Sequence, residues 1–368
     1  VRGLFTRFIV SSNLDWIWPY WIIRQFLPQN KEFVARGFQP VSMNVCYRNW
    51  TGIGTLRGSE EATIDPKGLI TPFINGWSLD NWIVLNGKVH SPAYITNVSQ
   101  KLYKNLPMVI TEFKVEDFKV KSFAFSAENE VDVLHQQVTV KNTSKKVKEC
   151  SFAFAIRPYN NEGVSLVNSI EFPGDNSFFV NKKLGGVFMQ VPDEIHWSNL
   201  SKGDVALFLH EAATAREYVL AKSRVGMATA LAEYQLVLQP GQSKTFEVRI
   251  PMKKWHEKEA RHKKIVEKIR GHHFDTMLDK TVAQWEDKLY KGMQISVPDK
   301  RVMDAFKANK AFLLMLCEGD SITPGPSTYH HFWFRDATYM IYALDIVGYH
   351  DDAAQILRTY PKRQRWNG

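Results

Sequence analysis

Between Pro324 and Gly348 the chain reads Pro-Gly-Pro-Ser-Thr-Tyr-His-His-Phe-Trp-Phe-Arg-Asp-Ala-Thr-Tyr-Met-Ile-Tyr-Ala-Leu-Asp-Ile-Val-Gly. A loop rich in Pro and Gly leads into ring-bearing residues from Tyr329 to Phe334, and Arg335-Asp336 then opens an almost wholly apolar stretch. Loops that present aromatics and charges at the edge of a buried element are more often binding surfaces than spacers. The Arg335 guanidinium offers five donors in one plane, whereas the Asp336 carboxylate offers only acceptors. Together they can read both sides of adjacent hydroxyl groups, with Trp333 as an apolar wall and Tyr329 and His331 as further polar ring contacts. Asp336 can also cap the helix that follows, which is compatible with binding. His330 and His331 are adjacent on a loop, and such neighbours seldom share one ion. With no carboxylate cluster near them in the sequence, neither a metal site nor a cofactor is expected.

Helices must hold this loop. Ala337 to Val347 is apolar but for Thr338 and Asp345, and Ala311 to Cys317 is apolar throughout, so both are predicted to be buried on every side. An Asp345 buried there would need a partner. Gly348 is placed to end its helix, and Asp351 or Asp352 to cap the next, over Ala353 to Thr359. Upstream, Trp255 to Ile269 is charged with a sparse apolar stripe. Phe274 to Tyr290 carries a stronger one at Met277, Leu278, Val282, Trp285 and Leu289, stopped by Lys291-Gly292. Glu318 and Asp320 read as solvated loop residues, and neither His196-Trp197 nor His210-Glu211 carries the marks of a catalytic dyad.

From about Phe38 to Met252 the period is two. Thr111 to Phe125 alternates for most of its length, and Val131–Val140, Glu149–Arg157, Ala232–Leu238 and Lys244–Ile250 continue the pattern, with turns at Asn142-Thr-Ser and Pro240-Gly-Gln. This predicts antiparallel sheets packed face to face. Ala155 to Gly163 reads as a loop between strands. Gly52-Ile-Gly-Thr-Leu-Arg-Gly58 lacks the spacing and the strand–turn–helix setting of a dinucleotide fingerprint and reads as a loop or bulge.

Composition excludes several classes. The net charge of +9 is concentrated between Lys253 and His273, where eight Lys/Arg accompany three Glu, as on a solvated helix face, so no nucleic-acid partner is expected. Leu14 to Phe26 is aromatic but interrupted by Asp15, Pro19 and Arg24, too broken to span a bilayer, and is expected to pack on the body of the protein. Cys46, Cys150 and Cys317 form neither a disulfide framework nor a zinc motif; they suit a reducing, cytoplasmic setting, with Cys150 and Cys317 as small core residues.

Phe332-Trp333-Phe334-Arg335-Asp336-Ala337 resembles the Trp-x-Arg-Asp-Ala signature of glucoamylase-type glycosidases. The resemblance implies an (α/α)6 toroid, preceded as in bacterial glucoamylases and related disaccharide phosphorylases by a many-stranded supersandwich and a helical linker. It further implies that Arg335 and Asp336 bind hydroxyls of a terminal sugar, so that the partner is an oligosaccharide or polysaccharide. The expected organisation is an aromatic segment at 1–37, a β-supersandwich at 38–252, a helical linker at 253–295 and the start of a toroid at 296–368. Glycoside hydrolysis needs two carboxyl groups flanking the scissile bond, and in that class both are Glu from the middle and end of the toroid. Twelve helices of about 12 residues with their loops require roughly 200 residues, far more than follow Asp299. The catalytic pair is therefore expected beyond Gly368, and the chain is expected to be the inactive N-terminal portion of an inverting glycosidase. The alternatives are a disaccharide phosphorylase of similar layout and a non-catalytic carbohydrate-binding or scaffolding sandwich.

Overall fold

The computed structural model describes residues 50–366, apart from 57, 74–75, 161–162, 200–201, 207–211, 254–261 and 327–328. The expectations for the segment at 1–37, for Cys46, for His210-Glu211 and for a catalytic pair beyond Gly368 lie outside the described residues, as does Gly368 itself. Two nine-stranded sheets dominate. One runs in spatial order Thr51–Ile53, Ala62–Ile64, Ile70–Thr71, Ser78–Leu85, Lys148–Arg157, Thr229–Leu238, Glu194–Ser198 and Ala212–Thr214, with Lys88–His90 also on Ser78–Leu85. The other runs Val219–Lys222, Ser169–Phe172, Ser177–Val180, Lys183–Phe188, Ser243–Pro251, Val133–Asn142, Phe118–Ala127, Val109–Val115 and Val98–Leu102. The pairings are antiparallel, as in Lys148–Arg157 against Thr229–Leu238 and Phe118–Ala127 against Val133–Asn142.

Alternation fills the space between the sheets. Phe152, Phe154 and Ile156 point one way from their strand, and Phe246, Val248 and Ile250 answer from the other sheet. Phe152 stacks on Phe246 with ring centroids 5.0 Å apart, and Phe154 stacks on Phe188 at 5.6 Å. Offset aromatic pairs of this kind add to what area burial alone contributes.

Three readings of the β region need correction. The alternating run at 111–125 is two strands, Val109–Val115 and Phe118–Ala127, joined by a turn with Glu116 at φ 46°. A two-residue turn brings Val115 opposite Phe118 and Phe113 opposite Val120, so the apolar side continues across a hidden shift of phase. The 155–163 run is not one loop: the strand continues to Arg157, and Tyr159-Asn160 pairs with Gly163-Val164. Gly52 lies in the strand Thr51–Ile53, and a Cβ on Gly52 or Gly54 would sit 2.5 or 2.8 Å from the Met315 side chain. These glycines let the sheet edge approach the helices closely.

The helices are α1 (His262–Arg270), α2 (Phe274–Tyr290), α3 (Lys300–Met315), α4 (Phe334–Ile346), α5 (His350–Leu357) and α6 (Tyr360–Arg363). Ile265, Val266 and Ile269 of α1 cover Val133 and Leu184 of the second sheet and the adjoining Val131. Val282, Trp285 and Leu289 of α2 share a core with Phe125, Ala311, Leu314 and Ile341. The Asp299 carboxylate caps α3 by accepting from the Arg301 amide at 2.9 Å. Cys150 and Cys317 are buried free thiols, and burial pushes both up to about 12. Among the described residues no helix is long and apolar enough to cross a membrane.

Helix α4 is not buried on every side. Ala337, Ile341 and Leu344 form one buried stripe, whereas Tyr339, Tyr342 and Ile346 are 70%, 64% and 51% exposed. Likewise α3 buries Ala311, Leu314 and Met315 but leaves Phe312, Leu313 and Leu316 only partly covered. Composition alone does not say how many neighbours a helix has. Gly348, at φ 87°, closes α4 as expected: its N–H reaches the Asp345 carbonyl at 3.0 Å and the Tyr349 N–H reaches that of Leu344 at 2.9 Å, a Schellman arrangement. The next helix starts earlier than predicted, at His350 with Tyr349 in the capping position; Asp351 and Asp352 fall in its first turn. Asp345 does have a partner, His350 Nδ1 at 2.6 Å, but the pair is at the surface.

Gly292 separates α2 from Tyr349. A Cβ there would lie 2.4 Å from Tyr349 Cζ, and Tyr349 is 3% exposed with no room to retreat. Gly292→Ala is therefore expected to lower unfolding free energy in urea by about 1–3 kcal/mol, the usual cost of overpacking. Unchanged stability would show that Tyr349 is not held where it lies.

Candidate functional site

The loop before α4 is pinned by one aromatic cluster and exposes another. Phe332 packs edge-on against Phe334 and Tyr360 at 5.1 and 5.5 Å, and the Arg363 guanidinium lies 3.8 Å from the Phe332 ring centroid. Such a cation–π contact adds modest stability to an anchor of this kind. Thr338 Oγ1 donates to the Phe334 carbonyl at 2.7 Å and lies 3.2 Å from the Tyr360 hydroxyl, tying the start of α4 to α6.

On the outer side, Tyr329 is 60% and Trp333 48% exposed, with ring centroids 6.3 Å apart and planes tilted by 51°. His331 is exposed on the same loop, its amide donating to the Tyr329 carbonyl at 2.7 Å. Trp333 occupies the capping position of α4 without a side-chain cap bond, which corrects the N-cap role offered for Asp336: that residue lies in the first turn. An anion there is favoured by the helix dipole. Arg335 is exposed and Asp336 half-buried. Among the described residues neither makes a hydrogen bond or ion pair, so their donors and acceptors are available to a ligand. The structure thus gathers Tyr329, His331, Trp333, Arg335 and Asp336 into one lip of a loop and helix start.

His330 turns the other way. Its Nδ1 lies 3.5 Å from Glu61 Oε2 and 3.6 Å from Glu318 Oε1. Glu61 directly precedes the strand Ala62–Ile64, second from one edge of its sheet, and its side chain is 1% exposed. Glu318 ends the short strand Cys317–Glu318, whose hairpin with Ser321–Ile322 turns through Gly319 at φ 64°. Glu318 is not the solvated residue expected: its side chain is 16% exposed, and Oε1 accepts from Thr323 Oγ1 at 2.8 Å. Burial, reinforced by the charges of Glu318 and Glu60, pushes the Glu61 carboxyl up to about 8. Among the described residues neither oxygen of Glu61 nor Nδ1 of His330 has a hydrogen-bond partner. The Glu60-Glu61 pair ahead of the strand is a visible oddity in the sequence; its convergence with Glu318 and His330 is not, because Glu61 lies far from both along the chain.

Two other polar features are distinct. A cleft of about 490 Å³ opens beside Thr55, Gly58, Ser59 and Glu60, and its lining contains none of the five lip residues. His196 lies 2.8 Å from Glu233 and 3.3 Å from Glu194. Burial opposes ionisation of Glu233, but hydrogen bonds from His196 and Ser151 hold its carboxyl below the ordinary range.

No protein-family model and no curated protein matches the sequence. Among solved structures the chain is similar to one described as a kojibiose phosphorylase from the human microbiome, with 9% identity and a TM-score of 0.44 over 81% of this chain and 39% of that one. It is also similar to a polysaccharide lyase, with 13% identity and a TM-score of 0.29 over 56% and 32% of the two chains. A third is a family GH92 α-mannosidase from Bacteroides thetaiotaomicron, with 8% identity and a TM-score of 0.27 over 60% and 27%. The chain spans well under half the length of each, and all three are named as carbohydrate-active enzymes.

Proposed function

We propose that this chain is the sandwich and leading helical part of a carbohydrate-processing enzyme of glucoamylase-like layout, and that the lip at Tyr329–Asp336 holds the terminal sugar of an oligosaccharide. One observation carries the reading: two tilted, exposed rings stand beside an unpaired Arg–Asp pair at a helix start. Amphipathic rings at a surface offer an apolar face with a polar edge, which suits the C–H face of a sugar. Arg335 then donates to hydroxyls and Asp336 accepts from them, while Tyr329 and His331 add edge contacts. In this reading 38–252 is the supersandwich, 253–295 the linker and 296–368 the first helices of an (α/α)6 toroid. The open face of α4 at Tyr339, Tyr342 and Ile346 is where a further helical layer would pack. The lip binds sugar and breaks no bond: it contains one carboxylate, whereas hydrolysis by the glucoamylase route needs two flanking carboxyls. Those two belong, in this reading, to other helices of the toroid.

Calorimetric titration with malto-oligosaccharides tests the assignment. The expected result is saturable binding that Arg335→Ala weakens about tenfold or more, since hydrogen bonds to a charged group contribute about 1.5–3 kcal/mol. Arg335 is exposed, so the substitution leaves the fold intact. Binding of equal strength in the variant would move recognition elsewhere and reject the lip.

A further inference from the structure

We propose that Glu61, Glu318 and His330 form a divalent-cation site at the seam between the sandwich and the helices, suited to zinc. Two regions distant in the chain deliver the donors: the start of the strand Ala62–Ile64, and the connection between α3 and α4, which supplies Glu318 from its hairpin and His330 from its loop. Their ligand atoms lie within 4.8 Å of one another. Zinc takes nitrogen and oxygen donors at about 2.1 Å in tetrahedral array, which places neighbouring donors about 3.4 Å apart. The separations from His330 Nδ1 to Glu61 and Glu318 are 3.5 and 3.6 Å.

Glu61 is 4% exposed as a residue, and both its carboxylate oxygens, like His330 Nδ1, are buried without a partner among the described residues. Buried polar atoms left in that state cost free energy, and ionised ones cost most. A single cation would engage all three residues at once. Two carboxylates and a neutral imidazole also balance a charge of two. Thr323, donating to Glu318, supplies the kind of supporting hydrogen bond that orients a ligand carboxylate. Glu318 and His330, each with a side chain 16% exposed, give an ion access from outside. The chemically similar group Glu194–His196–Glu233 makes the contrast. There the Glu233 carboxylate, with His196 at 2.8 Å and Ser151 bonded to it, is not left bare as that of Glu61 is, and the unpartnered atoms are the two ring nitrogens of His196.

The metal assignment does not depend on sugar binding at the lip. Untagged protein is stripped with EDTA, dialysed and titrated calorimetrically with zinc chloride, with thermal unfolding recorded before and after. One zinc per chain at micromolar affinity or tighter is expected, together with a rise in Tm, because a ligand that binds only the folded state stabilises it. Glu61→Gln should abolish the binding, His330→Ala should weaken it at least tenfold, and His196→Gln should leave it unchanged. Absence of saturable binding, as when Glu61 is held neutral by a proton alone, overturns the proposal. So does binding that survives both substitutions or that is lost only in His196→Gln. Should Glu61→Gln fail to fold, His330→Ala on the exposed loop decides the matter.

Discussion

Replacing Arg157 with Ala is expected to destabilise the protein by about 3–5 kcal/mol, the cost of leaving a buried charge without its partner. Arg157 is fully buried at the end of the strand Lys148–Arg157, and its guanidinium pairs with Asp204, itself 5% exposed. Nε donates to the Tyr159 hydroxyl at 3.1 Å, and the guanidinium lies over the Trp82 ring, 4.8 Å from its centroid. Trp82 in turn donates to Asp80 at 2.9 Å, and Ser91 donates to the same oxygen at 3.2 Å. Burial works against the Arg157 charge, but Asp204 and Tyr159 outweigh it and hold its pKa above the ordinary value. A pair of this kind costs desolvation on both sides, so its removal as a unit differs from its disruption. The double variant Arg157→Met with Asp204→Leu should recover most of the lost stability in urea unfolding. A loss in the double variant equal to the sum of the two single losses would show that the charges do not act as a pair.

Lowering the pH from 7.5 to 5 is expected to remove about 2 kcal/mol of stability through a second buried network, as the linkage of protonation to folding requires. His135 stacks between Phe125 at 5.0 Å and His272 at 5.7 Å, with its Nδ1 3.3 Å from Glu247. Arg249 bonds the same Glu247 oxygen at 2.6 Å and the carbonyls of Ile269 and Arg270 at the end of α1, while Asn129 lies 3.1 Å from His272 Nε2. Burial, then the charges of His135, Arg249 and Lys280, pulls His272 down to about 4 against the weaker pull of Glu247. Burial likewise lowers His135, although Glu247 opposes it. The His272 ring is therefore neutral when folded down to about pH 4, whereas in the unfolded chain it takes a proton near pH 6.5, and His135 is shifted in the same direction. Between about 6.5 and 4 the unfolded state binds protons that the folded state refuses, so stability is complete above that window and falls as pH falls through it. A shift from 6.5 to about 4 corresponds to roughly 3 kcal/mol in full, most of it lost by pH 5. Chemical denaturation at the two pH values checks this, with His272→Gln as control. The variant should lose clearly less than the wild type over the same interval. An equal loss would assign the pH dependence to the carboxylates instead.

Much of the sandwich is legible in the sequence because period-two alternation is a local property. Phe152, Phe154 and Ile156 announce an inward face whichever strands lie beside them. The stripe of α2 and the Gly348 stop are legible for the same reason. Readings that depend on a partner fail. The Glu116 turn preserves the apolar pattern across a change of phase, so one strand is read where there are two. Helix α4 is apolar all round, yet burial is set by how many neighbours pack on it, and Tyr339 and Tyr342 face outward. Arg157 reads as the polar end of a strand because Asp204 belongs to a distant loop. Glu318 reads as solvated because Glu61 and His330 reach it only through the tertiary fold. The lip residues are neighbours in the sequence, so their nearness is itself a local property. Asp336 differs from expectation only in its place on the helix, in the first turn rather than at the cap.

The central claim is that a sugar sits on the lip before α4. A crystal soaked with maltotriose tests it most directly. A glucose ring should stack on Trp333 or Tyr329, with hydroxyls hydrogen-bonded to Arg335 and Asp336 at about 2.7–3.2 Å. Sugar density on the sandwich instead, in the cleft beside Glu60 for example, with Arg335 and Asp336 uncontacted, would contradict it.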